Sequence, residues 1–530
     1  MKIGLQRLAV LATLGLALAL GGHAQALTRG GKMVYARNAD SLFLDPVLNE
    51  RNVDIWILTN LYDTLLEPTT DGRSVQPGLA ESYQLSDDGL TFTARLRANL
   101  KFADGSPLTV DDVKWSLDRA RDPKNGAWNF TLESIDSIET KGADTVVLHL
   151  KHPDPALTAA LAIFNCSVMS KKLFEAAPGA TDADKAKAFA EHPIGSGPFM
   201  LDSWQRGTQM VIKRNPYYWQ MGEDGKPLPY LDEVDFQIIS DDATRILKLQ
   251  AGEVDGAEFI PYARVAELKG DPNLNMELFP STKVTYLTLN IRPKLKNGTP
   301  NPLSDERVRQ ALNFAIDKDA VIKLVTFGVG TPMRSYMSSS TPLFYGPGPA
   351  YAYDLAKAKA LMKDAGQENG FALDAQALAG SADDAANLST IQQMWAQLGV
   401  KLNITQMDNA TMVSHYDAAD FQIQTGYWTD DIIDPSEITS YFTYFPTTES
   451  QHSGYDDPTI QKLYLDSTKE ADKAKRAEQY KQIQEIYVKA APIVFMYQSP
   501  YPVGLRKTVQ GFVQIQLGNN IFLRTHMEKQ

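Results

Sequence analysis

Apolar and polar residues alternate most regularly from Leu90 to Arg97, where Leu90, Phe92, Ala94 and Leu96 are separated by Thr91, Thr93 and Arg95. A period of two points successive side chains to opposite faces, so this stretch predicts a half-buried strand. Asp88-Gly89 marks the turn before it and Asp104-Gly105 a turn after it. Thr109 then stands three residues ahead of Asp112, which resembles a capping box built with the shorter acid. Val113, Trp115 and Leu117 carry on into a helix that should end near Asp122-Pro123. Ser304-Asp305-Glu306 opens another helix, with Val308, Ala311, Leu312 and Ala315 on one face. Asp354 opens LAKAKALMKDAG, and Gly366 closes it. Residues 458–490 read as one long amphipathic helical region that stops before Pro492.

Two apolar extended runs stand apart: VTYLTLNI (284–291) and PIVFMYQ (492–498). Between them lies a block of mixed helices and strands of domain size. A block entered and left through two extended segments is compatible with an inserted lobe on a two-strand hinge. No internal repeat or low-complexity segment interrupts the pattern.

The start of the chain breaks that pattern. Lys2 and Arg7 precede a nearly unbroken apolar run over 8–20, and Ala24-Gln25-Ala26 is a small-x-small cleavage signal. This predicts a secretory signal peptide over 1–26 and a soluble exported product. The formal net charge of -12 disfavours nucleic acid as a partner. The single cysteine, Cys166, cannot form an internal disulfide and is expected to be buried and inert. At 530 residues the chain should hold more than one core.

Catalytic signals are weak. No G-x-S-x-G elbow is present, and IGSGPF (194–199) has neither that spacing nor the Lys-Ser/Thr of a phosphate-binding loop. His149 and His152 are close in sequence, but a spacing of three puts them on opposite faces of a strand. No enzyme activity, metal or cofactor is expected. The segment richest in possible chemistry is TGYWTDDIIDPSE (425–437). There Asp434-Pro435-Ser436-Glu437 reads as a helix start capped by Asp434. Asp430 and Asp431 are either solvated or await a cation.

Seven stretches carry a resemblance: LYDTLLEP (61–68), GLAESYQLSDDGLTFTARLR (78–97), KFADGSPLTVDDVKWSL (101–117), IGSGPF, KRNPYYW (213–219), DERVRQALNFAID (305–317) and YDLAKAKALMKDAG (353–366). In this order they resemble the extracytoplasmic solute-binding proteins of peptide-type ABC importers, the oligopeptide- and dipeptide-binding group. The resemblance implies an α/β, two-lobed periplasmic-binding-protein-like fold with an extra subdomain in the first lobe and a two-strand hinge. It implies a lobe I core of 27–58, 195–288 and 498–530, an extra subdomain at 59–194, and lobe II at 289–497. The implied function is capture of a small solute, first of all a peptide, in the periplasm. Delivery to the membrane subunits of an ABC permease follows lobe closure, by a chain expected to be monomeric. The same scaffold serves for an opine, another amine, an oligosaccharide, nickel or haem, and a secreted hydrolase is the remote alternative.

The resemblance also assigns residues. The peptide binders carry Trp-Thr-x-Asp ahead of an acidic helix start, and that aspartate holds the ligand ammonium. Trp428-Thr429-Asp430-Asp431 puts Asp431 in this role, with Gly426, Tyr427, Trp428 and Thr429 beside it. Tyr427 and Trp428 either stack on the ligand or belong to the core. Dipeptide-specific members grip the far carboxylate with an arginine in the loop after the strand near 371. Here that loop has Ser381, Asp383 and Asp384 and no arginine; Arg334 is a candidate substitute. The plain reading of Ser381 and Asp383 is helix capping before 385–397. The loop NADSLFLDPVLN (38–49) offers Ser41 and Phe43 on the opposite wall.

Overall fold

The computed structural model describes residues 28–49 and 51–528. The expected signal peptide lies outside them. Two large sheets organise the chain. The first has seven strands, in the order Leu274–Phe279, Tyr501–Arg506, Gly256–Ala257, Lys32–Arg37, Glu233–Ile238, Gln209–Arg214 and Phe199–Gln205. The second has six: Thr331–Pro332, Ile493–Gln498, Val284–Leu289, Ile423–Trp428, Ala372–Leu378 and Lys401–Met407. Each anchors one lobe. A four-stranded antiparallel sheet, Ala80–Leu85, Thr91–Leu96, Thr145–Leu150 and Ile135–Lys141, builds a further core beside the first lobe.

The two extended runs are central strands of the second sheet, Val284–Leu289 and Ile493–Gln498, paired antiparallel. The chain changes sheets just before the one and just after the other, at 280–283 and 499–500. These two crossings are tied together, since Ser499 N donates to Lys283 O and Ser281 Oγ to Ser499 O.

Local expectations resolve in physical detail. Thr91–Leu96 is a strand with Phe92, Ala94 and Leu96 buried. Thr109 and Asp112 form the reciprocal capping box of Val110–Ala120. Asp305, not Ser304, caps Glu306–Phe314, because Pro302–Ser304 is itself a 3-10 turn. The region 458–490 is two helices, Pro458–Ser467 and Lys473–Ala490, because Asp472 caps the second through the backbone N–H groups of Ala474 and Lys475. In IGSGPF, a β-carbon on Gly195 would lie 2.0 Å from Leu61 O, so glycine is needed there for close chain packing. Cys166 is buried, and burial pushes its thiol pKa up. Among the described residues no helix is long and apolar enough to cross a membrane, and no group of three or more His, Cys, Asp or Glu could hold a metal ion.

Candidate functional site between the lobes

The strand Ile423–Trp428 pairs with Val284–Leu289, setting Trp428 against Val284 and Tyr427 against Thr285. Alternation then carries Lys283, Thr285 and Tyr427 to one face. Beyond Trp428 the chain leaves the sheet in a loop held by its own acids. Glu437, in the first turn of Ser436–Thr443, accepts from the backbone N–H groups of Asp431 and Ile432, both at 3.0 Å. Asp434 accepts from Ser436 N, as a cap would, and is also gripped by Arg476 through two bonds of 2.7 Å.

This loop closes onto the first lobe. Thr429 Oγ1 accepts from Asn52 Nδ2 at 3.2 Å. Ile432 is 2% exposed and packs into an apolar cluster with Ile55, Trp56, Trp128, Ala159, Ile163 and Phe164, all from the first lobe and its extra sheet. The two lobes are therefore in direct contact in this structure.

Three carboxyl groups gather in the same place, Asp430 and Glu437 buried and Asp431 half-buried. Asp430 accepts from Thr341 Oγ1 at 2.6 Å, and its N–H donates to Thr282 Oγ1. Burial pushes the Asp430 carboxyl up to about 7. Burial also raises Asp431, and the neighbouring Asp430 raises it further. Glu437 is raised by burial and then by both aspartates. Among the described residues none of the three has a cationic partner. The Asp431 carboxylate has no hydrogen-bond partner there either, and it lines a cavity of about 390 Å³ whose other walls belong to the first lobe. Asp63 lines that cavity too; burial, then Glu67, raises its carboxyl to about 8, although Trp219 Nε1 donates to it at 3.2 Å.

A second cavity, of about 440 Å³, lies against the second lobe's sheet. It brings together Gly426, Tyr427, Trp428, Ser381 and Asp383 with Lys283, Asp384 and Tyr497. Ser381 does cap the helix Ala382–Ala396, through Asp384 N, while also lining this cavity.

Three sequence candidates lie elsewhere. Ser41 is committed internally, donating to Val53 O at 2.9 Å and accepting from Arg37. Phe43 lines neither cavity, because Asp54 pins its loop by accepting from the N–H groups of Leu42 and Phe43. Arg334 lines a separate cavity beside Glu485 and Lys489 of the helix Lys473–Ala490, so it does not replace the missing arginine. Sequence reasoning passed over Lys283 and Asp63, which line these two cavities. For Lys283 the signal was present: two residues before Thr285, it begins the alternation that faces the cleft.

Comparison with known proteins agrees with this architecture. Residues 74–449 match the family described as bacterial extracellular solute-binding proteins, family 5 Middle. The chain is 30% identical over 494 residues to the dipeptide-binding protein of Escherichia coli K12, covering 88% of this chain and 89% of that one. It superposes on the periplasmic binding protein DppA of Helicobacter pylori, solved with the peptide STSA, with TM-score 0.81, 25% identity and coverage of 95% and 99%. It superposes on AgaA of Agrobacterium tumefaciens R10, solved with agropinic acid, with TM-score 0.78, 26% identity and coverage of 94% and 99%. The chain belongs to the bacterial extracellular solute-binding proteins of family 5, two-lobed proteins that serve ABC importers.

Proposed function

We propose that this protein captures a peptide with a free amino terminus in the periplasm, as a monomer freed of residues 1–26, and hands it to the membrane subunits of an ABC importer. The observation that carries this reading is the Asp431 carboxylate, half-buried at a cavity between the lobes and without an ion-pair partner among the described residues. An isolated buried carboxylate is costly, and an ammonium guest relieves that cost through a charge-assisted hydrogen bond. The apolar seal around Ile432 keeps water from the pair once the lobes meet. Ligand contacts to both lobes shift the population toward the closed form, which the permease reads. The dipeptide and STSA-binding relatives support a peptide; the agropinic acid complex is the reason to include opines in the screen.

The test is calorimetry on a panel of free and N-acetylated peptides with the wild type and Asp431→Ala. Loss of roughly 3–5 kcal/mol on removing Asp431, the range for breaking a buried ion pair, is expected for free peptides. Equal affinity for free and acetylated peptides, or an unchanged affinity in the variant, overturns the assignment.

A further inference from the structure

Lys283 has no task in the reading above. It sits on one of the two crossings between the sheets and lines two cavities, the one of about 440 Å³ and a smaller one of about 260 Å³. The smaller cavity lies between the lobes: Asp242, Tyr262 and Tyr501 wall it from the first lobe, and Ser381 and Asp383 from the second. An acid from each lobe and a lysine from the segment joining them thus face one space.

Most polar groups around this space are already engaged. Asp242, at the start of the helix Asp242–Ala251, is paired with Arg245 at 2.6 Å. Asp384 accepts from Thr425 Oγ1 at 2.7 Å and from Leu378 N at 3.2 Å. Tyr262 donates to Pro500 O at 2.8 Å, and the Tyr427 ring lies 5.0 Å from Lys283 Nζ. Among the described residues the Lys283 ammonium and the Asp383 carboxylate make no hydrogen bond and no ion pair, although both groups line both cavities. They act on each other through space. Burial works against the charge of Lys283, and Asp383 and Asp384 favour it. Burial also raises the Asp383 carboxyl; Lys283 lowers it, while Asp384 and, from the first lobe, Asp242 raise it further. Without Lys283, Asp383 would be walled in facing like charges from both lobes.

We propose that Lys283 is a built-in counter-charge for closure: it offsets Asp383, which closing takes out of water opposite Asp242, and so sets the closing equilibrium for every solute alike. With the lobes apart, water solvates the acids and screens them from each other, and the lysine adds little. With the lobes together, the water is displaced, the low dielectric strengthens each interaction, and a lone carboxylate there is costly. The contribution of Lys283 therefore belongs to the closed form and needs no contact with the solute. This inference goes beyond the peptide reading, because it does not depend on what the cleft holds.

The experiment takes the tightest binder from a panel of dipeptides and tripeptides, and the same peptide with a C-terminal amide. Calorimetry measures both on wild type, Lys283→Met, Lys283→Gln, Asp383→Asn and the double variant Lys283→Met with Asp383→Asn. Either Lys283 variant should weaken acid and amide by the same factor, roughly tenfold, within the range for coupled charges. In the Asp383→Asn background Lys283→Met should cost little, since no carboxylate is left there to offset. Scattering at subsaturating peptide should show a larger mean dimension for the Lys283 variants than for wild type, and matching ligand-free melting temperatures should show that they fold. Unchanged affinity, a loss confined to the free acid, or a loss of the same size in the Asp383→Asn background overturns the proposal and leaves the peptide reading standing. If no peptide in the panel binds the wild type, the peptide reading falls, and agropinic acid takes the peptide's place in the same comparison of variants.

Discussion

Ile432 offers the sharpest measurement of closure. It belongs to the second lobe, yet it is 2% exposed because first-lobe residues cover it. Truncation to alanine removes three carbons from that contact. At about 0.8 kcal/mol per buried CH₂, Ile432→Ala should weaken the closed form by roughly 2 kcal/mol. Opening uncovers this side chain, so the open form loses little. One factor of ten corresponds to about 1.4 kcal/mol, so the open-to-closed ratio should rise about 30-fold. Where the open form dominates without ligand, the apparent dissociation constant rises by that same factor, because each binding event has to drive a less favourable closure. The assay is calorimetry with the best peptide of the panel, paired with small-angle scattering with and without peptide. The expected result is weaker binding, a larger mean dimension at subsaturating peptide, and a melting temperature of the ligand-free protein little changed. A lowered melting temperature with affinity unchanged within twofold would refute the reasoning, since Ile432 would then support one lobe instead of joining two.

Two further outcomes concern the buried charges of this loop. Asp430 has a carboxyl pKa raised to about 7 by burial, so the folded state holds a proton that the unfolded chain releases near pH 4. Its stabilising contribution is complete below about 4 and is lost as pH rises to about 7; the melting temperature should therefore fall less across pH 5–8 in Asp430→Asn than in wild type, as calorimetric scanning would show. Arg476→Met strands Asp434, whose two bonds to Arg476 are buried, and should cost roughly 3–5 kcal/mol in urea unfolding; a cost below about 1 kcal/mol would mean that water reaches the pair.

How much of this was legible in the chain follows from the range of the interactions. The strand Thr91–Leu96 and the box on Thr109 are decided by neighbours a few residues apart, and both were readable. The break between Pro458–Ser467 and Lys473–Ala490 was missed because the apolar spacing runs on past the point where Asp472 starts a new cap. In TGYWTDDIIDPSE the pairing of acids with aromatics marked the place, and the family pattern singled out Asp431. The apolar partners of Ile432 and the cavity wall facing Asp431 come from distant parts of the chain, and no local pattern encodes them. Ser41 and Arg334 show the converse. Their residue types suited a ligand, but Val53 and Arg37 engage the first, and packing beside Lys473–Ala490 places the second elsewhere.

The two crossings that join the sheets are tied side by side through Ser281, Lys283 and Ser499. A paired strap of this kind flexes easily about one axis and resists shear and torsion. Displacement during such a swing grows with the lever arm, so a side chain rooted on the strap barely travels. Lys283 is rooted there; Asp431 and Ile432 ride on a loop beyond it. A side chain on the strap thus stays near its final position while the gap is still wide, and the interlobe contacts of the loop arrive with the moving wall.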